Sequence, residues 1–344
     1  MKNHLVMLTF AIISFCFIGD VCQSADEAAA PAARTERSGR GGLNGDWQVT
    51  VEFDGRSMES ILSFSRDEDG SQTGRWISLW GINELKDVKF EDGQLSFTQV
   101  HQNRQGESTT SKFTGTIADG KISGTITSDK GDSKLQGQRS KRISRVVGSW
   151  EMKLKNAEKE FTSTLIITAD KEDKLTAQCQ SQQCKSDITD VNYERGKLTF
   201  KSKSNDPNCQ GESKFEGTIQ EDVLSGVFKS EKGETKAEGT RVGALAIGNW
   251  DLEVTSDRGV RKQRLKINAD MSGLYGSVAI DKVNLEGSKV SFKIDQAFGD
   301  QKIEMSFEGK LDDSKLTGEL TTSRGVQKVK GTKVIHRERN RNAG

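Results

Sequence analysis

Proline and histidine are nearly missing from this 344-residue chain, at 2 and 3 residues, and tyrosine occurs only twice. Scarce proline leaves few forced breaks in a hydrogen-bonded strand ladder. Scarce histidine removes the commonest general base and metal ligand. No G-x-x-x-x-G-K-[ST], H-E-x-x-H or G-x-S-x-G pattern occurs, and His101 and His336 lie far apart in the chain. Nucleophilic catalysis therefore lacks an activating base, and the reading is of a non-enzyme with no cofactor and no metal. The 51 basic and 50 acidic residues balance to +1, which excludes a strongly basic nucleic-acid binder. Long apolar runs are absent except Leu5–Ile18, which follows Lys2 and precedes the small residues Ser24 and Ala25. That run is too short for a membrane span and reads as a signal peptide over 1–25, so the protein is expected to be secreted or periplasmic. Residues 26–44, rich in Ala, Arg, Ser and Gly, read as a flexible leader.

What the chain has in excess is glycine, 35 residues without a collagen period, and a repeat. Gly45-Asp46-Trp47, Gly148-Ser149-Trp150 and Gly248-Asn249-Trp250 open three segments; Gly137-Gln138-Arg139, Gly239-Thr240-Arg241 and Gly331-Thr332-Lys333 close them. Between lie Phe113-Thr114-Gly115, Phe215-Glu216-Gly217 and Phe307-Glu308-Gly309, then Ile122-Ser123-Gly124, Leu224-Ser225-Gly226 and Leu316-Thr317-Gly318. The repeats span 45–139, 148–241 and 248–333, with a basic tail over 334–344.

Within a repeat the apolar period is two. Trp47, Val49, Val51 and Phe53 alternate with polar residues, as do Leu95 and Phe97 or Ile122 and Ile126, and Asp-Gly pairs at 69–70, 92–93 and 119–120 punctuate the runs. Eight short strands per repeat follow. The fold class is all-β: three tandem eight-stranded antiparallel up-and-down barrels, closed because closure removes exposed strand edges. Gly115, Gly124 and Gly137 share the parity of core residues and leave an inward gap, for which the repeat's own tryptophan is the expected occupant. Arg139, Arg241 and Lys333 are expected to cover Trp47, Trp150 and Trp250 where the last strand meets the first. These six residues form the structural barrel signature.

A Gly-x-Trp on the first strand with a basic residue ending the last strand resembles the calycin superfamily of lipocalins, fatty-acid-binding proteins and avidins. The pattern is also similar to glycine-rich all-β repeats that accompany secreted bacterial proteins. The resemblance covers each repeat, although Lys333 replaces the arginine in the third and no C-terminal helix is recognisable. It implies a ligand at the open end of the barrel.

At that end the repeats diverge. Trp76, Trp80 and His101 of repeat 1 read either as a stacking platform for a glycan or other flat ligand, or as one core tryptophan with another covering the mouth. Once the signal peptide is gone three cysteines remain. A Cys184–Cys209 or Cys179–Cys209 disulfide fits the mouth connections, with Cys179–Cys184 as the local competitor. Asp87-Val88 and Asp190-Val191 match between repeats, as an acid–base pair or as a turn. Lys141, Arg142, Arg145, Arg337, Arg339 and Arg341 read as solvated charges or as contacts to an anionic envelope polymer. Ile143, Val146, Val147, Leu245 and Ile247 in the short linkers suggest neighbouring barrels docked as a semi-rigid rod. The expected partner is a small-molecule or glycan ligand, or alternatively an envelope protein or polymer for which the repeats act as a spacer.

Overall fold

The computed structural model describes residues 42–53, 55–102, 108–181, 185–204, 211–298 and 301–334; the expected signal peptide, most of the expected leader, Cys184, Cys209 and the tail with His336 lie outside them. Repeat 1 consists of β1 (Gly45–Phe53), β2 (Arg56–Arg66), β3 (Gln72–Ser78), β4 (Gly81–Glu91), β5 (Gln94–Gln102), β6 (Ser108–Ala118), β7 (Lys121–Ser128) and β8 (Gly131–Arg139). Repeat 2 consists of β9 (Gly148–Lys155), β10 (Glu160–Ala169), β11 (Leu175–Gln180), β12 (Lys185–Glu194), β13 (Lys197–Ser204), β14 (Gly211–Gln220), β15 (Val223–Ser230) and β16 (Gly233–Arg241). Each set is a closed antiparallel meander in which the first strand pairs with the last. The all-β tandem-barrel class is the one the period-two pattern dictates.

The third repeat departs from the eight-strand expectation. It has nine strands: β17 (Gly248–Ser256), β18 (Gly259–Ile267), β19 (Gly273–Tyr275), β20 (Val278–Ile280), β21 (Val283–Glu286), β22 (Lys289–Phe298), β23 (Gln301–Asp312), β24 (Lys315–Thr322) and β25 (Gly325–Lys333). The ladder runs from β20 round to β21 without a bond between those two, so the barrel is nearly closed. The segment between β18 and β22 is shorter than its counterpart in repeat 1. It makes three strands of three or four residues where repeat 1 has two long ones.

Gly115 lies opposite Gly124, as the Asp119-Gly120 turn requires, and Gly217–Gly226 and Gly309–Gly318 repeat the pairing. The occupant of that space differs from the expected one. A Cβ on Gly115 would stand 2.5 Å from Cζ of Phe113, and the equivalent atoms at Gly217 and Gly309 would meet Phe215 and Phe307. The glycines therefore admit the phenylalanine of the same Phe-x-Gly motif, not the tryptophan. Each of these rings stacks on a second: Phe97–Phe113 at 4.8 Å, Phe200–Phe215 at 4.7 Å and Phe292–Phe307 at 5.0 Å between centroids. The interior is thus filled by a stacked pair and a tryptophan rather than left open.

Asp87 and Asp190 occupy equivalent bulges, where the registers of β4 and β12 shift and the backbone turns to φ of 52° and 55°. Aspartate tolerates that conformation better than most side chains, so the match between the repeats records strand bending.

Candidate functional site

One end of every barrel is sealed by the same local device. Trp47 pairs directly with Arg139 across β1 and β8, Trp150 with Arg241, and Trp250 with Lys333. Cross-strand partners share a face, and the guanidinium carbons stand 4.4 and 4.1 Å from the indole centroids, the ammonium 5.8 Å. Each indole N–H donates to the carbonyl four residues earlier, Leu43, Val146 or Ala246. The cation donates to carbonyls of the same incoming segment: Arg139 to Gly42 and Asn44, Arg241 to Arg145 and Val147, Lys333 to Ala244 and Leu245. Leu43, Val146, Val147 and Ala246 are buried in the barrels that follow them. The linker apolar residues Val146 and Val147 are consequently plugs of the second barrel, Ile247 is half-buried, and Ile143 and Leu245 are exposed.

At the other end, the residues singled out from sequence separate. Trp76 is buried, edge-on to Phe97, and donates its indole N–H to Ser60 Oγ at 3.1 Å. Trp80 lies beyond the end of β3, where strand parity no longer applies, and is 61% exposed. The two indoles therefore do not form one platform, and the side chain of His101 lies outside the described residues. Cys179 takes the Trp76 position in repeat 2: each pairs with the leucine opposite its tryptophan, and the Cys179 thiol lies 2.9 Å from Oγ of Ser163, the counterpart of Ser60. That thiol is free, so neither expected bridge involving Cys179 is present; burial pushes it above the ordinary thiol range, partly offset by the Ser163 bond. The third residue of this series is Tyr275, opposite Leu265, and the serine is replaced by Gln263.

Gln263, on the inward parity of β18, binds the backbone of repeat 1. Fully buried, it donates to the carbonyls of Ser78 at 3.0 Å and Leu79 at 2.9 Å in the turn between β3 and β4. Gly276 is needed at this contact, since any Cβ there would overlap the Ser78 carbonyl. Leu79 is buried in the apolar core of repeat 3, not of repeat 1. Beside it, buried Arg264 pairs with Asp46 at 2.9 Å and contacts Ser63, with Lys266 at 3.5 Å from the same carboxylate. Burial alone would raise the Asp46 pKa, but the Arg264 charge and hydrogen bond, Lys266 and Ser63 outweigh it and hold the carboxyl below its usual value. An exposed Arg75–Asp251 pair at 3.2 Å adds little. Repeats 1 and 3 are thus clasped together, which a rod of sequential neighbours does not allow.

The clasp creates the candidate site. With Leu79 anchored, Trp80 is delivered to a cleft of about 310 Å³ at the mouth of the third barrel, beside Val260 and Val326, which are 64% and 58% exposed. The turns Ser256–Gly259 and Thr322–Gly325 bring Arg258 and Arg324 to its rim, and Arg261 faces it from β18. The signals for this site are legible in hindsight: a Leu-Trp pair on a hairpin turn, and polar Arg261 and Gln263 on the inward parity of β18 beside Leu265 and Ile267. What they contact lies some 185 residues away in the chain, and strand periodicity carries no information about that.

What the fold defines is a class, an all-β tandem-barrel protein with a cleft lined by two of its repeats. No protein-family model matches the chain, and no curated protein does. Among solved structures it is similar to a Bacteroides fragilis protein described as an outer membrane protein, at 10% identity over 85% of this chain and 98% of that one, with a TM-score of 0.23. A mutant of transferrin binding protein B from Haemophilus parasuis matches at 11% over 81% and 66%, TM-score 0.19. A protein of unknown function from Nostoc punctiforme matches at 8% over 85% and 96%, TM-score 0.18. Likenesses this low assign no function. Among the described residues no helix is long and apolar enough to cross a membrane.

Proposed function

We propose that this chain is an exported, non-catalytic binding protein that takes a small-molecule or carbohydrate ligand in the cleft between the β3–β4 turn of repeat 1 and the mouth of the third barrel. The observation that carries the reading is the 61% exposed Trp80 indole, next in the chain to anchored Leu79, above a cleft it shares with two exposed valines. An indole on a turn whose backbone is fixed by a buried neighbour and two hydrogen bonds offers a flat apolar face at a reduced entropic cost. The filled barrel interiors support a surface ligand over an engulfed one. They equally suit a second reading, a spacer of the cell envelope that binds other proteins or polymers. Export rests on Lys2, the Leu5–Ile18 run and the small residues Ser24 and Ala25.

Fluorescence titration of the full-length protein with a panel of glycans and flat apolar molecules tests the reading. At least one class is expected to quench or shift the emission of wild type but not of Trp80→Ala. A panel to which Trp80 is indifferent would contradict ligand binding here and favour the spacer.

A further inference from the structure

The three barrels carry different residues at one inward mouth position. Four residues before the leucine that faces the tryptophan stand Met58 in repeat 1, Phe161 in repeat 2 and Arg261 in repeat 3. Only the third barrel puts a cation there, half-buried and pointing into the mouth. Its hydrogen-bond partners are neutral: Nη2 donates to the Tyr275 hydroxyl at 3.1 Å and to Gln327 Oε1 at 3.2 Å. Among the described residues no carboxylate pairs with it. A partly desolvated guanidinium with two oriented neutral neighbours is held in place yet left without a counter-charge, an arrangement that costs free energy unless an anion completes it.

The surroundings do not neutralise it. The cleft is lined by Arg258, Arg261, Lys302 and Arg324 against Asp257 and Glu304, four cations to two carboxylates. Lys302 is engaged by Asp295 at 3.4 Å and by Glu304, so one of the two lining carboxylates is already paired. Arg258 and Arg324 sit at the same place in two neighbouring hairpins, one before the glycine of each turn. Trp80, Val260 and Val326 supply the apolar wall between them.

We infer that the cleft at the third barrel's mouth selects a small ligand bearing an anionic group on a flat or apolar body, with Arg261 receiving the anion and Trp80 the body. This rests on the binding proposed for the Trp80 cleft and adds the charge of its ligand. Charge-assisted bonds to a guanidinium are the strong ones, so the anion is worth about tenfold or more in affinity at low salt.

Two probes with the same aromatic body separate the possibilities: anilinonaphthalene sulfonate, and phenylnaphthylamine, which lacks the sulfonate. The full-length protein is expected to bind the sulfonate about tenfold or more tightly than the neutral probe. Arg261→Gln should abolish that preference without weakening the neutral probe, Arg261→Lys should keep most of it, and Trp80→Ala should weaken both. Where circular dichroism shows that Arg261→Gln has unfolded, wild-type salt dependence decides: rising sodium chloride should weaken the sulfonate and spare the neutral probe. Equal affinities, or a preference that survives in Arg261→Gln or in high salt, would overturn the anion assignment while leaving the Trp80 cleft as a binding site. Failure of both probes to bind, or binding indifferent to Trp80→Ala, would overturn the site itself.

Discussion

Arg241 shows what a single side chain does in this fold. Its guanidinium covers Trp150, binds two carbonyls of the incoming linker and pairs with Asp222 at 2.7 Å, with almost none of it in contact with water. Arg241→Ala strips donors from buried carbonyls and uncovers the indole, and should lower stability by about 3 kcal/mol, read as a fall in the unfolding midpoint. Arg139→Ala should cost less, because that side chain is more exposed and has no carboxylate partner among the described residues. Gly226→Ala should cost about 1–3 kcal/mol, since its Cβ would lie 2.5 Å from Phe215 Cζ and 2.7 Å from the Gly217 Cα. The tryptophan–basic pairing follows directly from strand parity. The tenant of the glycine space does not, because parity says which face a ring occupies but not how far along the barrel axis it leans. Burial pushes the Cys179 thiol above its ordinary range and shields it, so alkylation should be slow in the native protein and fast after unfolding; equal rates would contradict its placement.

At the level of elements, the β3–β4 turn is the part whose role the sequence hides. In repeat 1 it carries Leu79 and Trp80; the first enters a core that is not its own, and the second consequently faces the cleft. Leu79→Ala should therefore destabilise repeat 3, by about 2–5 kcal/mol, while repeat 1 retains its own core. Hydrogen exchange provides the measurement: amides of β18 to β20 should lose protection, and loss confined to β3 and β4 would contradict the assignment. Strands, hairpin turns and their antiparallel order are legible in the sequence because they depend on alternation and on local turn chemistry. The short strands β19 to β21 are not, because a segment of that length can be cut into strands only by the neighbour it packs against.

For the whole molecule, the clasp between repeats 1 and 3 is electrostatic at its centre. The native Asp46 pKa lies below its ordinary 3.8, so its contribution is fully present above that value and is lost as pH falls through the lowered one. Acidification below about pH 4 should thus uncouple repeat 1 from repeat 3, and Asp46→Asn, which leaves buried Arg264 without its carboxylate, should uncouple them at neutral pH. Two separate unfolding transitions in place of a shared one would report that. The cleft is shared between repeats far apart in sequence, so its existence depends on this contact and on no motif. Hydrogen exchange of the full-length protein with and without saturating anilinonaphthalene sulfonate tests this most directly. A cleft shared by the two repeats requires joint protection of the Ser78–Gly81 turn in repeat 1 and of the Ser256–Gly259 and Thr322–Gly325 turns in repeat 3; protection of one repeat alone, or of none of these turns, would contradict it.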